Sequence, residues 1–222
     1  MKIAVIIGSP RGMKGNTGRL LEEVLAGLDK DVKTELIDLS KRKVLPCIGC
    51  DHCHKTGVCP LKDDYEAIKK SLLECDGFIL ASPNYIFSVT AQIKALFDRS
   101  GNILHCLLLE GKYGAVVETS GGGEDDEVMR YMERFINSTG AQSVGGVGSP
   151  MAGERTFPDE AILFNQARDL GRDLCRSIEE KKDFPAQADY RATFKARMKR
   201  LVEYRKEEWP AEHQYWRENL LG

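Results

Sequence analysis

Short apolar runs alternate with amphipathic stretches over the first 180 or so residues, and that rhythm constrains the fold more than any other feature. Lys2 to Ile7 is almost wholly apolar and too short for a helix, so it reads as a strand buried on both faces. Asn16 or Thr17 can then cap a helix running through Leu20, Leu21, Val24, Leu25 and Leu28. Val32 to Leu39 alternates as a second strand. Phe78 to Ala81, Tyr113 to Thr119 and Ala141 to Val147 supply three more. Helices are expected from Asp63-Asp64, around Ala91 to Arg99, over Glu124 to Thr139 and over Asp159 to Lys181. The acid run Glu124-Asp125-Asp126-Glu127 suits a helix N-terminus, where the dipole favours negative charge. Strands that alternate with helices join through right-handed crossovers into a parallel sheet covered on both faces. The expected class is therefore α/β, a doubly wound five-stranded parallel sheet in the order 2-1-3-4-5. Its ligand belongs beyond the carboxyl ends of the strands, near the first and third.

The chain has 222 residues, one domain of roughly 150 residues and a remainder. The alternation stops near residue 181, so 1–181 reads as one domain and 182–222 as a helical extension. The extension holds both tryptophans, Trp209 and Trp216, and an apolar stripe through Phe194, Met198, Leu201 and Val202. Basic Lys195, Arg197, Lys199 and Arg200 interleave there with Glu203, Glu207, Glu208, Glu212 and Glu218. Such a mixed field suits packing or contact with another subunit better than nucleic acid or lipid. The whole chain agrees: 32 Lys and Arg against 34 Asp and Glu leave a charge of −2 and no electrostatic case for either partner. No apolar run reaches the ~18 residues of a membrane span. Met1 to Ile7 starts like a signal peptide, but Gly8-Ser9-Pro10-Arg11 ends it too early. A cytoplasmic location is expected, which argues against a disulfide framework for the seven cysteines.

Four of those cysteines crowd into Cys47-Ile48-Gly49-Cys50-Asp51-His52-Cys53 and on to Cys59-Pro60, a C-x2-C-x2-C-x5-C-P run. Cysteines three apart on a turning loop can aim their sulfurs at one centre, and a [4Fe–4S] cluster takes four thiolates. A zinc site that recruits His52 or His54 is a rival. Reduced thiols without a metal are a third reading. Cys75, Cys106 and Cys175 sit in apolar contexts and read as small core residues. His105 and His213 lack spaced partners and read as structural. The other chemical feature is the loop Gly8-Ser9-Pro10-Arg11 to Gly15-Asn16-Thr17. Its hydroxyl and amide donors, glycines and one arginine at a helix start suit a terminal phosphate monoester. It matches neither GxxxxGK[ST] nor GxGxxG. An ordinary capped connection is the other reading of the same residues.

Gly8-Ser9-Pro10-Arg11 with Asn16-Thr17, then Ser82-Pro83-Asn84-Tyr85 followed by Lys94 and Asp98-Arg99, resembles the NAD(P)H-dependent FMN reductases of the flavodoxin-like superfamily. The cysteine run resembles the compact motif of their iron–sulfur flavoprotein branch. The resemblance implies FMN, with its phosphate on Ser9, Arg11, Asn16 and Thr17. It implies that Pro83, Asn84, Tyr85, Ile86 and Phe87 lie along the isoalloxazine, and that Thr119, Ser120, Gly121, Gly122 and Gly123 close over its edge. Lys94 and Arg99 read equally well as solvated helix residues. The resemblance also implies a [4Fe–4S] cluster on Cys47, Cys50, Cys53 and Cys59, and a homodimer or homotetramer. Electrons would pass between flavin and cluster, with no side-chain acid or base required. NAD(P)H, a ferredoxin or a small-molecule acceptor would be the redox partner. A cluster-free NAD(P)H-dependent FMN or quinone reductase is the alternative, and a zinc- or thiol-bearing binding module is the second.

Overall fold

Lys2–Ile7 forms the first strand, β1, and its side chains divide between two buried clusters. Ala4 and Ile6 enter one cluster; Ile3, Val5 and Ile7 enter the other. The computed structural model describes residues 1–153 and 155–220. It adds β2 (Lys33–Asp38), β3 (Gly77–Pro83), β4 (Tyr113–Ser120) and β5 (Gln142–Pro150). All pair in parallel, in the order β2-β1-β3-β4-β5, as expected of a flavodoxin-like sheet. The helices are α1 (Asn16–Ala26), α2 (His52–Thr56), α3 (Tyr65–Glu74), α4 (Ala91–Arg99), α5 (Gly101–His105), α6 (Asp125–Ser138), α7 (Glu160–Glu179), α8 (Ala188–Tyr204) and α9 (Pro210–Asn219).

Each face of the sheet is covered because the helices present matching apolar sides. Leu72 of α3, Ile93 and Leu96 of α4 and Met132 and Ile136 of α6 pack on Phe78, Leu80 and Val116. Leu20, Leu21 and Val24 of α1 and Ala167, Leu170 and Leu174 of α7 pack on Ile79, Ala81, Ala115 and Val117. Helices α1 and α7 approach backbone to backbone. A Cβ on Gly27 would stand 2.1 Å from the Arg168 carbonyl oxygen, and one on Gly171 2.2 Å from that of Val24.

Several expectations are corrected. Neither Asn16 nor Thr17 caps α1: the cap is Gly15, which has no side chain to give, and both residues lie inside the helix. Strand β3 runs through Ser82 to Pro83, and β5 runs past Val147 to Pro150, held by pairing with β4 rather than by apolar pattern. The irregular segment after β2 contains α2, and α5 follows α4 directly. Arg99 is 3% exposed rather than solvated. Lys94 does lie on the surface of α4, paired with Asp98. The extension folds back onto its own chain, where Met198, Val202 and Trp216 form a third buried cluster with Leu107.

Candidate functional site

The carboxyl ends of β1, β3 and β4 place three loops side by side. After β1 the chain turns through Gly12, whose φ of +54° favours glycine; a Cβ there would meet Asp38 Oδ2 of β2 at 2.4 Å. The Arg11 N–H donates to Ser9 Oγ at 3.2 Å. Among the described residues no side chain caps α1, so its first-turn N–H groups remain available at the cleft that Gly15, Asn16 and Thr17 line. The three loops are tied together. Thr17 Oγ1 and Thr119 Oγ1 share a hydrogen bond of 2.6 Å. The Asn84 N–H donates to the Thr119 carbonyl at 2.8 Å, and Asn84 Nδ2 donates to the Gly123 carbonyl at 3.1 Å.

They enclose a cleft of about 230 Å³. Ser9, Arg11, Asn16 and Thr17 line it, as do Pro83, Asn84, Tyr85, Thr119, Ser120 and Gly121. Gly15 and Met151 line it too, and sequence reasoning missed both. Gly15 was legible as the residue before the helix. Met151 follows β5, the neighbour of β4, and its N–H donates to the Ser120 carbonyl at 2.9 Å. Ile86, Phe87, Gly122 and Gly123 lie outside the wall. Ile86 and Phe87 form the tip of a tight turn closed by Tyr85 and Ser88, with positive φ and 89% and 71% exposure.

Beneath the loop after β4 lies Glu118, which drew no attention as one acid in an apolar run. It is fully buried, and neither carboxylate oxygen has a hydrogen-bond partner among the described residues. Burial first, and then the nearby Asp125 carboxylate, push its pKa up to about 9.

The cysteine run occupies the loop between β2 and α3. Cys47 and Cys50 are exposed, Cys53 and Cys59 are half-buried, and none is in a disulfide. Asp51 and Gly57 flank α2 in left-handed conformations, winding the loop tightly around Cys53. Both ends of the loop are anchored. Asp63 accepts from the Leu45 N–H at 2.8 Å and from Arg99 Nη1 at 2.8 Å, and Arg99 also donates to the Leu45 carbonyl at 2.9 Å. The Cys59 N–H donates to Glu66 Oε1 at 2.7 Å, and Lys69 Nζ donates to the Gly57 carbonyl at 2.6 Å. Burial opposes the charge on Arg99, but Asp63 and the Cys59 sulfur raise its pKa. His54, the candidate ligand of a mixed site, bonds Glu212 of α9 through its Nδ1, with Nδ1–Oε1 2.7 Å. Burial lowers its pKa, but Cys53 and Glu212 outweigh burial and lift it to about 10. His52 is exposed.

The sequence profile of the NADPH-dependent FMN reductase family matches residues 1–151. An iron–sulfur flavoprotein of Archaeoglobus fulgidus is 36% identical over 185 residues, covering 82% of each chain. An iron–sulfur flavoprotein of Methanocaldococcus jannaschii is 34% identical over 191 residues, covering 81% of this chain and 98% of its own. Among solved structures, RosB with a bound 8-demethyl-8-formylriboflavin 5′-phosphate superposes with a TM-score of 0.67 at 12% identity, over 90% of this chain and 87% of its own. At that identity the likeness concerns the fold.

Proposed function

The chain belongs to the NADPH-dependent FMN reductase family, in its iron–sulfur flavoprotein branch, and from that premise we propose that it passes electrons between FMN in the cleft and a [4Fe–4S] cluster on Cys47, Cys50, Cys53 and Cys59. It is a flavin-dependent oxidoreductase with an electron-transfer role, and its flavin is FMN. When bound, FMN exchanges one or two electrons and the cluster one at a time, so the pair links two-electron and one-electron partners.

The observation that carries the flavin half is the uncapped first turn of α1, facing the same cleft as Ser9, Arg11 and Thr17. Hydroxyls, N–H groups and one guanidinium suit a phosphate monoester. Pro83, Asn84 and Tyr85 would lie along the ring system, and Thr119, Ser120 and Gly121 would meet its edge. Gly122 and Gly123 shape that loop, since the Gly123 carbonyl receives Asn84. The exposed tip of Ile86 and Phe87 fits contact with a second copy of the chain in a homodimer or homotetramer, rather than the flavin of its own cleft. The cluster half rests on the donor set. Four thiols, soft ligands, share one anchored loop, a donor set that suits a cluster. NAD(P)H or another electron carrier would be the partner, a reduced ferredoxin among them, in the cytoplasm, where thiols stay reduced. No helix among the described residues is long and apolar enough to cross a membrane.

Anaerobic purification with metal, sulfide and flavin analysis tests the reading. Iron and acid-labile sulfide near about four per chain, together with flavin absorbance, are expected. Flavin without iron would leave a cluster-free FMN or quinone reductase. Zinc without flavin would overturn both.

A further inference from the structure

Helix α9 reaches the cysteine loop through one carboxylate. Glu212 is fully buried. Its Oε1 accepts from His54 Nδ1 at 2.7 Å and from Asn102 Nδ2 at 3.3 Å, and its Oε2 accepts from His105 Nδ1 at 3.0 Å. The His54 ring lies 4.8 Å from that of His105 and 4.4 Å from that of Trp209, and the His105 ring lies 5.0 Å from Trp209. Trp216 Nε1 donates to the His105 carbonyl at 2.9 Å. His54 belongs to α2 and directly follows Cys53 in the chain. A second link runs from the tail to the same short helix, for Arg205 stands over Trp209 and 3.9 Å from Asp51, the N-cap of α2.

The ligand atoms of His54, His105 and Glu212 lie within 4.8 Å of one another, a metal-like grouping. Each histidine addresses a different carboxylate oxygen, however, and Asn102 adds a third donor. The charge is satisfied by N–H groups, and a cation there would have to displace them. The grouping is better suited to holding α2 than to holding an ion. On the domain side, Lys69 bridges the Gly57 carbonyl and Asn102 Oδ1, so the loop is gripped from both sides around Cys53.

We propose that the C-terminal extension is a clamp for the cysteine loop, with Glu212 as the positioning residue that fixes α2, and with it Cys53, through His54. The proposal rests on the cluster reading for its purpose and on the geometry of α2 and α9 for its substance. Its consequence is that a residue 158 positions downstream of His54 governs how firmly the ligands are held.

Hydrogen exchange on the iron-free protein, read for residues 47–59 and for residues 9–17, tests the clamp in Glu212→Gln. Glutamine keeps the volume but offers only one acceptor oxygen to the three N–H donors. Exchange over 47–59 is expected to quicken about tenfold, with 9–17 unchanged and FMN affinity within about twofold. In reconstituted protein, loss of iron to a chelator is expected to quicken by a similar factor. His54→Phe, which keeps a ring against Trp209 but removes the donor, should reproduce the exchange pattern and decides the matter if Glu212→Gln does not fold. Unchanged exchange over 47–59, or a uniform rise throughout the chain, would overturn the clamp. Wild type that takes up no iron but shows the local exchange difference would overturn the cluster reading and leave the clamp standing.

Discussion

The cleft and the cysteine loop are held by different means. The cleft is set by strand ends: β1, β3 and β4 deliver Ser9, Pro83 and Thr119 to neighbouring positions, and short bonds such as Thr17–Thr119 lock what the sheet has already placed. The cysteine loop leaves the sheet after β2, with Val44 and Cys59 packed against the core. It is fastened by buried polar links, Asp63–Arg99 on one side and His54–Glu212 on the other. A site on a sheet edge inherits the rigidity of the core. A site on a loop depends on each fastening, and losing one partner leaves a buried charge uncompensated.

That contrast can be broken most severely at the ligands. Cys53→Ala is expected to abolish iron uptake while FMN stays bound; loss of flavin with retention of iron, measured on one sample, would reverse the assignment of the two regions. Next comes the anchor. Arg99 and Asp63 are almost wholly buried, and Arg99→Met should cost about 3–5 kcal/mol in urea unfolding. A loss below about 1 kcal/mol, the range of exposed pairs, would mean that the loop is not fastened there.

A third experiment probes the buried acid of β4 by pH. Below its ordinary value of 4.5, Glu118 is protonated whether the chain is folded or unfolded. Between there and about 9 the unfolded chain releases a proton that the folded chain keeps, so stability falls as pH rises across that window. The slope approaches about 1.4 kcal/mol per pH unit. Glu118→Gln should therefore lose less stability between pH 5 and pH 8 than wild type in parallel urea titrations; equal losses would place a charged carboxylate there. The smallest effect belongs to Arg11, an exposed cation beside backbone donors. Arg11→Ala is expected to weaken FMN binding about tenfold by flavin fluorescence titration, and an unchanged affinity would leave the phosphate to the N–H groups and hydroxyls alone.

Legibility from sequence follows the same divide. Strand β1 and helix α4 announce themselves through uniform apolarity and helical spacing, and their bounds match the expectation. The cleft loops were legible because the strand-order rule says where a ligand sits. The cap was misread because asparagine and threonine are good caps, whereas Gly15 performs the turn with backbone alone. Strand β5 outlasts its apolar pattern because Gly148, Ser149 and Pro150 are held by partners on β4. The loop's fastenings were not legible at all. Arg99 looked like one more helix cation, and Glu212 like one of several acids offsetting basic neighbours. What sets each apart is a partner 36 or 158 residues away, and no local period encodes that.

The glycine seam between α1 and α7 extends the reach of the cleft. Helix α1 is 11 residues long, about 16 Å at 1.5 Å per residue, and its two ends are the first turn at the cleft and Gly27 at the seam. At the seam the neighbouring atoms are carbonyl oxygens, which cannot rotate aside as a side chain would. A methyl group added at Gly171 therefore has to move a whole helix, and the far end of that helix is the cleft's own first turn. Position 171, remote from any ligand, belongs on the mutational map of the cleft as a lever arm belongs to its pivot.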